Sequence, residues 1–105
     1  MVWEIGLPYQ PAASLRKDLT DTELAEACKR GNLRAFEDLY ELHASRMKSL
    51  AFHMLGSRAD AEDVVQEAFI KVYRAVRGFE GNSTLTTWIY RILLNCCYDA
   101  LRTQR

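Results

Sequence analysis

Between residues 60 and 76, Ala61, Val64, Val65, Ala68, Phe69, Val72, Tyr73 and Val76 recur at alternating steps of three and one. That spacing follows a period of about 3.6 residues, so the segment reads as a helix with a complete core stripe. Helix punctuation frames it and its neighbours. Thr20 with Glu23 forms a capping-box pattern, and Gly31 ends the short helix that follows. Asn32 caps a second helix whose apolar stripe is Phe36, Leu39, Tyr40, Met47, Leu50, Ala51 and Met54, and Gly56 stops it. Ser57 or Asp60 starts the third helix and Gly78 ends it. After "FEGNST", a fourth helix runs from about Leu85 to Leu101 or beyond, its core side formed by Leu85, Trp88, Ile89, Ile92, Leu93, Cys96 and Ala100. No window alternates convincingly with period two. The expected fold is all-α, a compact antiparallel bundle of about four helices with short connections.

At 105 residues the chain has room for one small domain. Both prolines fall in residues 1–19, which show no helical period and read as an N-terminal arm; residues 20–105 form the domain. Lys plus Arg equals Asp plus Glu, at 14 each, so the distribution of charge must carry any argument about partners. Cys28, Cys96 and Cys97 are odd in number and lack CxxC spacing, as expected of reduced thiols. No apolar run is long enough for a membrane span, and the start lacks the features of a signal peptide. A cytoplasmic protein with no membrane insertion is expected.

The polar sides of the last two helices differ from ordinary solvated faces. On the third, Asp63, Gln66, Glu67 and Ile70 stand at offsets 0, 3, 4 and 7 and form one patch. An Ile among carboxylates, away from a full core stripe, is either a stray apolar residue or the centre of a docking patch with a polar rim. Carboxylates there favour a basic partner surface. On the fourth helix, Thr87, Arg91, Asn95, Tyr98, Arg102 and Arg105 follow a second line that contains no acid. Arginine supplies phosphate contacts, an amide reads base edges and aromatics stack on unpaired bases; the plain alternative is a basic solvated face. The loop from Phe79 to Thr84 leads into this face, and the helix start behind it is expected to offer free backbone N–H groups. Enzyme readings find no support: His43 and His53 lie ten residues apart on one predicted helix, and no HExxH, CxxC or glycine-rich phosphate loop occurs. No metal site and no cofactor are expected.

Two unusual faces on successive helices joined by a polar loop resemble region 2 of a bacterial sigma factor, in particular of the extracytoplasmic-function (ECF) group. "DAEDVVQEAFIKVYR" and "TWIYRILLNCCYDALR" carry the resemblance, supported by "TDTELAEACKRGNLRAFEDLYELH" over the preceding helices. The resemblance implies a non-enzymatic transcription initiation factor. By position, Asp63, Gln66, Glu67 and Ile70 would bind the clamp helices of the largest subunit of core RNA polymerase. The loop, with Phe79, Asn82, Ser83 and Thr84, would capture a flipped base of the promoter −10 element. Thr87, Trp88, Tyr90, Arg91 and Asn95 would line the nontemplate strand, and Arg102 extends that DNA-binding face. An anti-sigma factor is a further expected partner, and the alternative function is a decoy that titrates one without binding DNA. Housekeeping sigma factors carry two adjacent tryptophans where this chain has Trp88 and Ile89, so strand opening by a paired aromatic wedge is not implied. The −35-binding region 4 of such factors is absent from this chain.

Overall fold

The structure is a computed structural model that describes residues 20–103; the proposed arm and Arg105 lie outside the described residues. Four helices follow one another: α1 (Asp21–Lys29), α2 (Leu33–Leu55), α3 (Arg58–Ala75) and α4 (Leu85–Thr103). A single 3-10 turn over Val76–Gly78 follows α3. The described residues contain no strand, and no helix among them is long and apolar enough to cross a membrane. The all-α bundle read from the sequence is the fold of the described residues.

The starts of the first three helices have local chemical causes. The capping box at α1 is complete: Glu23 N–H donates to Thr20 Oγ1 (3.0 Å) and Thr20 N–H donates to Glu23 Oε1 (2.9 Å). At the other end Asn32 N–H donates to the Ala27 carbonyl and Gly31 N–H to that of Cys28, a Schellman arrangement. It requires a left-handed residue, which Gly31 supplies at φ 83°. Asn32 accepts from Ala35 N–H and Ser57 from Asp60 N–H, so Ser57, not Asp60, caps α3.

The core lies where α2, α3 and α4 pack on one another, with α1 closing one end. Leu39 and Met47 of α2, Val65 and Val72 of α3, and Leu85, Ile89 and Leu93 of α4 are fully buried. Buried alanines at 35, 44, 51, 61 and 68 let the backbones approach closely. Truncating Leu39 or Leu93 to Ala is expected to cost about 2–5 kcal/mol, a large share of what stabilises a domain this small.

One member of the α3 stripe does not join the core. Tyr73 is 52% exposed. It stands at the edge of the stripe, beyond Phe69, and packs edge-on against Phe36 with ring centres 5.1 Å apart. Its other side faces solvent. Cys97, which the core stripe of α4 omitted, is fully buried.

Candidate functional site

The polar face of α3 stands clear of the bundle. Asp63, Gln66, Glu67 and Ile70 are all exposed, Ile70 by 51%. Glu67 meets Lys71 one turn on at 3.4 Å, an exposed pair that contributes little to stability. The patch is thus a large aliphatic side chain at the surface with a mostly acidic rim, as the spacing indicated.

The loop that follows is built from its buried end. Phe79 is only 8% exposed and its ring packs 5.1 Å from that of Trp88, itself half-buried. Phe79 is therefore not an outward contact of the loop, as its place among the DNA-binding candidates had implied. Its ring fixes the loop to α4 because burying so large an apolar side chain outweighs exposing it. Gly81 turns the chain at φ 80°, and Asn82 beside it is exposed. Ser83 donates to the Thr84 carbonyl (3.1 Å). Thr84 accepts from Thr87 N–H (3.1 Å) and donates to Thr87 Oγ1 (3.0 Å).

Two of the N–H groups that open α4, those of Leu85 and Thr87, are taken, which narrows the expectation of open N–H groups. Leu85 N–H donates to Asp21 Oδ2 at 2.6 Å, Thr86 Oγ1 lies 3.4 Å from Asp21 Oδ1, and Trp88 N–H donates to the Thr84 carbonyl. A carboxylate from α1 thus sits where the helix dipole is most positive. The sequence analysis did not single out Asp21; its partner lies 64 residues away, beyond any local signal. Between α1 and the loop is a cavity of about 330 Å³, lined among others by Asp21, Glu26, Phe79, Gly81, Ser83 and Thr84.

On α4, Thr87, Arg91, Asn95, Tyr98 and Arg102 share an exposed face, with Tyr98 52% exposed. Two expectations change. Arg102 is ion-paired with Asp99, so the far end of the stripe is partly neutralised. Tyr90 does not present its hydroxyl outward. That group is shut off from water without a hydrogen bond of ordinary geometry, beside the Arg46 guanidinium of α2. Burial raises the Tyr90 pKa against the opposing pull of Arg46. The ring meets His43 of α2 at 6.0 Å, edge-on. Burial lowers the His43 pKa, Arg46 lowers it further, and Asp21 opposes both. Arg46, exposed at this corner, is a cation the sequence analysis missed, because its nearness to α4 depends on how α2 crosses it. Among the described residues no cluster of three or more His, Cys, Asp or Glu side chains is placed to hold a metal ion.

A sequence model of sigma-70 region 2 matches residues 39–105, which span α3, the loop, α4 and most of α2. The chain belongs to the sigma-70 region 2 family. Over 90 residues it is 40% identical to the ECF RNA polymerase sigma-E factor of Escherichia coli, covering 86% of this chain and 47% of that protein. Over 77 residues it is 36% identical to the ECF RNA polymerase sigma factor SigW of Bacillus subtilis, covering 73% of this chain and 41% of that one. The chain thus spans less than half the length of these relatives. Among solved structures it resembles an engineered region 2 of sigmaE in complex with GTAAAA, at a TM-score of 0.74 and 41% identity, covering 82% of this chain and 90% of that one. The family acts in transcription initiation by binding rather than by catalysis.

Proposed function

We propose that this chain is the part of an ECF sigma factor that joins core RNA polymerase to the promoter −10 element. The observation that carries the reading is the pairing of two chemically distinct exposed faces on consecutive helices: acidic with an apolar centre on α3, arginine with amide and aromatic groups on α4. The loop between them is rooted in the core through Phe79 and Trp88. The structural relative bound to GTAAAA supports a nucleic-acid role for the second face. In this reading Asp63, Gln66, Glu67 and Ile70 dock on the clamp helices of the largest polymerase subunit. Thr87, Arg91 and Asn95 follow the nontemplate strand. Ser83 and Thr84 line the cavity that would hold a flipped base, and exposed Asn82 stands next to them in the loop.

Energetics make the polymerase partner necessary. Stacking or enclosing one base contributes roughly 1–3 kcal/mol. Each base-pair step opened costs roughly 1.4 kcal/mol, so a bubble of about a dozen pairs costs well over 10 kcal/mol. One pocket cannot offset that; it selects a base once polymerase contacts have contributed the rest. A decoy that only titrates an anti-sigma factor needs a docking surface but not an exposed Arg91 and Asn95, whose presence favours promoter binding.

Exchanging residues 79–84 for the loop of another ECF sigma factor, in a full-length context with polymerase, tests the reading. Transcription is measured from promoters carrying each base at every −10 position. The preference should move to that of the loop donor at one or two positions. An active chimera that keeps its original preference would show that the loop is only a connector.

A further inference from the structure

Resting on the docking role assigned above to α3, we propose that the polymerase-facing surface continues past Ile70, across Tyr73, to a basic pocket formed by Arg74 and Arg77 that takes an acidic side chain of the same partner. Taken at about 100° per residue, Asp63, Gln66, Glu67, Ile70, Tyr73 and Arg74 all fall within one arc of α3, roughly a third of its circumference. Tyr73 is therefore the next residue of the patch along the helix, one turn beyond Ile70. The two are 52% and 51% exposed, so they form a continuous apolar strip rather than two isolated side chains.

Beyond the strip the charge reverses. Asp63 and Glu67 give way to Arg74 and Arg77, both exposed. Neither arginine has an ion-pair partner among the described residues. Asp38, the buried carboxylate whose charge acts on Cys28, is taken by Arg34 Nε at 3.7 Å. Arginines near a helix C-terminus also complement its dipole, and that role accounts for a positive charge there. It does not account for the hollow beside them. A cavity of about 200 Å³ opens between the end of α3 and the α1–α2 turn, lined by Tyr73, Arg74, Arg77, Gly31, Asn32 and Phe36 among others. Arg77 reaches across the turn: its Nη2 lies 3.6 Å from the position a Cβ on Gly31 would take. Two aromatic rings and two guanidinium groups around one hollow suit a carboxylate on an aliphatic stem, which a guanidinium can grip through two hydrogen bonds. Continuity with the apolar strip favours a protein side chain over a nucleic-acid phosphate. An acidic end, an apolar centre and a basic end also give the surface polarity, so that a partner with the opposite gradient docks in one direction only.

The test is a titration of core RNA polymerase with the 105-residue chain, measured by fluorescence anisotropy. Arg74→Glu/Arg77→Glu should weaken binding by about thirtyfold or more, the size of a hot-spot truncation. Tyr73→Ser should weaken it in the same direction. Arg77→Ala, at an exposed position, gives a smaller loss and guards against misfolding, with circular dichroism and thermal melting run on every variant. Glu67→Ala serves as the reference for the docking role itself. Loss in Glu67→Ala with wild-type affinity in the folded arginine and Tyr73 variants overturns the extension and leaves the docking role standing. No loss in any variant overturns both. If the charge-reversed variant binds core polymerase normally but its holoenzyme loses promoter DNA, the arginines hold phosphate and the proposal fails.

Discussion

The exposed faces of α3 and α4 are both polar stripes on amphipathic helices, yet they are built differently. The patch of α3 from Asp63 to Ile70 is self-contained. The cap of α3, Ser57, is the residue before the helix, and among the described residues the patch makes no ion pair more distant than Glu67–Lys71. The α4 face is assembled from three directions. Its first N–H is held by Asp21 of α1, its Tyr90 is folded under Arg46 of α2, and its loop is rooted by Phe79. In the proposed reading, the docking patch around Ile70 is carried by one straight helix, whereas a surface that selects a single base needs its groups held closely in place, which takes several elements.

The largest effect should come from the α3 face. Ile70→Ala or Glu67→Ala should lower affinity for core polymerase by about 2 kcal/mol, the hot-spot scale, with unchanged helicity because both side chains are exposed. Arg91→Ala, measured alongside, should leave that affinity unchanged. Equal losses from both faces would mean that the two surfaces are not functionally separate.

The next effect concerns how each helix starts. Removing a local cap, Ser57→Ala, should cost about 1 kcal/mol of stability in urea unfolding. Asp21→Ala should cost about 1–2 kcal/mol, because it removes a charged hydrogen bond and a carboxylate at the dipole of α4 as well as a first-turn acid of α1. Amide exchange distinguishes the two. Ser57→Ala should speed exchange at Asp60, whereas Asp21→Ala should speed it at Leu85, on a different helix. Exchange at Leu85 unaffected by Asp21→Ala would remove the remote cap from the account.

These contrasts match what the sequence made legible. Helix number, order and boundaries were readable because caps and apolar periods are properties of neighbouring residues. Thr20, Asn32, Ser57, Gly31 and Gly56 all act within four positions of themselves. The α3 patch was readable for the same reason. Tyr73 was misread because a period cannot say where the edge of a stripe falls when the neighbouring helix leaves one side uncovered. Asp21, Arg46 and the inward turn of Tyr90 were unreadable because each depends on how helices distant in sequence cross. The roles of the exposed residues came from resemblance rather than from spacing, which yields faces but not partners.

A smaller effect separates the two arginines of α4. Arg91 is exposed and has no ion-pair partner among the described residues, whereas Arg102 is already paired with Asp99. For single-stranded DNA, removing one arginine from a phosphate should reduce the log–log salt slope by about 0.7. Arg91→Ala should show that full reduction. Arg102→Ala should show less, since Asp99 competes with phosphate for the same guanidinium. Identical slopes in both variants and wild type would remove both from the DNA path.

The smallest effect tests whether the α2–α4 corner is as tightly assembled as the packing implies. His43 is half-buried against Tyr90 of α4, with Arg46 of its own helix and Asp21 of α1 as the charges acting on it. Its pKa is lowered from 6.5, first by burial and then by Arg46. The folded state therefore binds the proton less readily than the unfolded state. Well above pH 6.5 His43 is neutral in both states and contributes no pH dependence. As pH falls through 6.5 the unfolded chain takes up the proton first, so stability declines until the folded-state pKa is passed. The melting temperature should drop as pH falls through 6.5, and His43→Gln should flatten that part of the profile. If the profile of His43→Gln keeps the wild-type slope, the corner is open to water and the packing of Tyr90 beside Arg46 is looser than the geometry indicates.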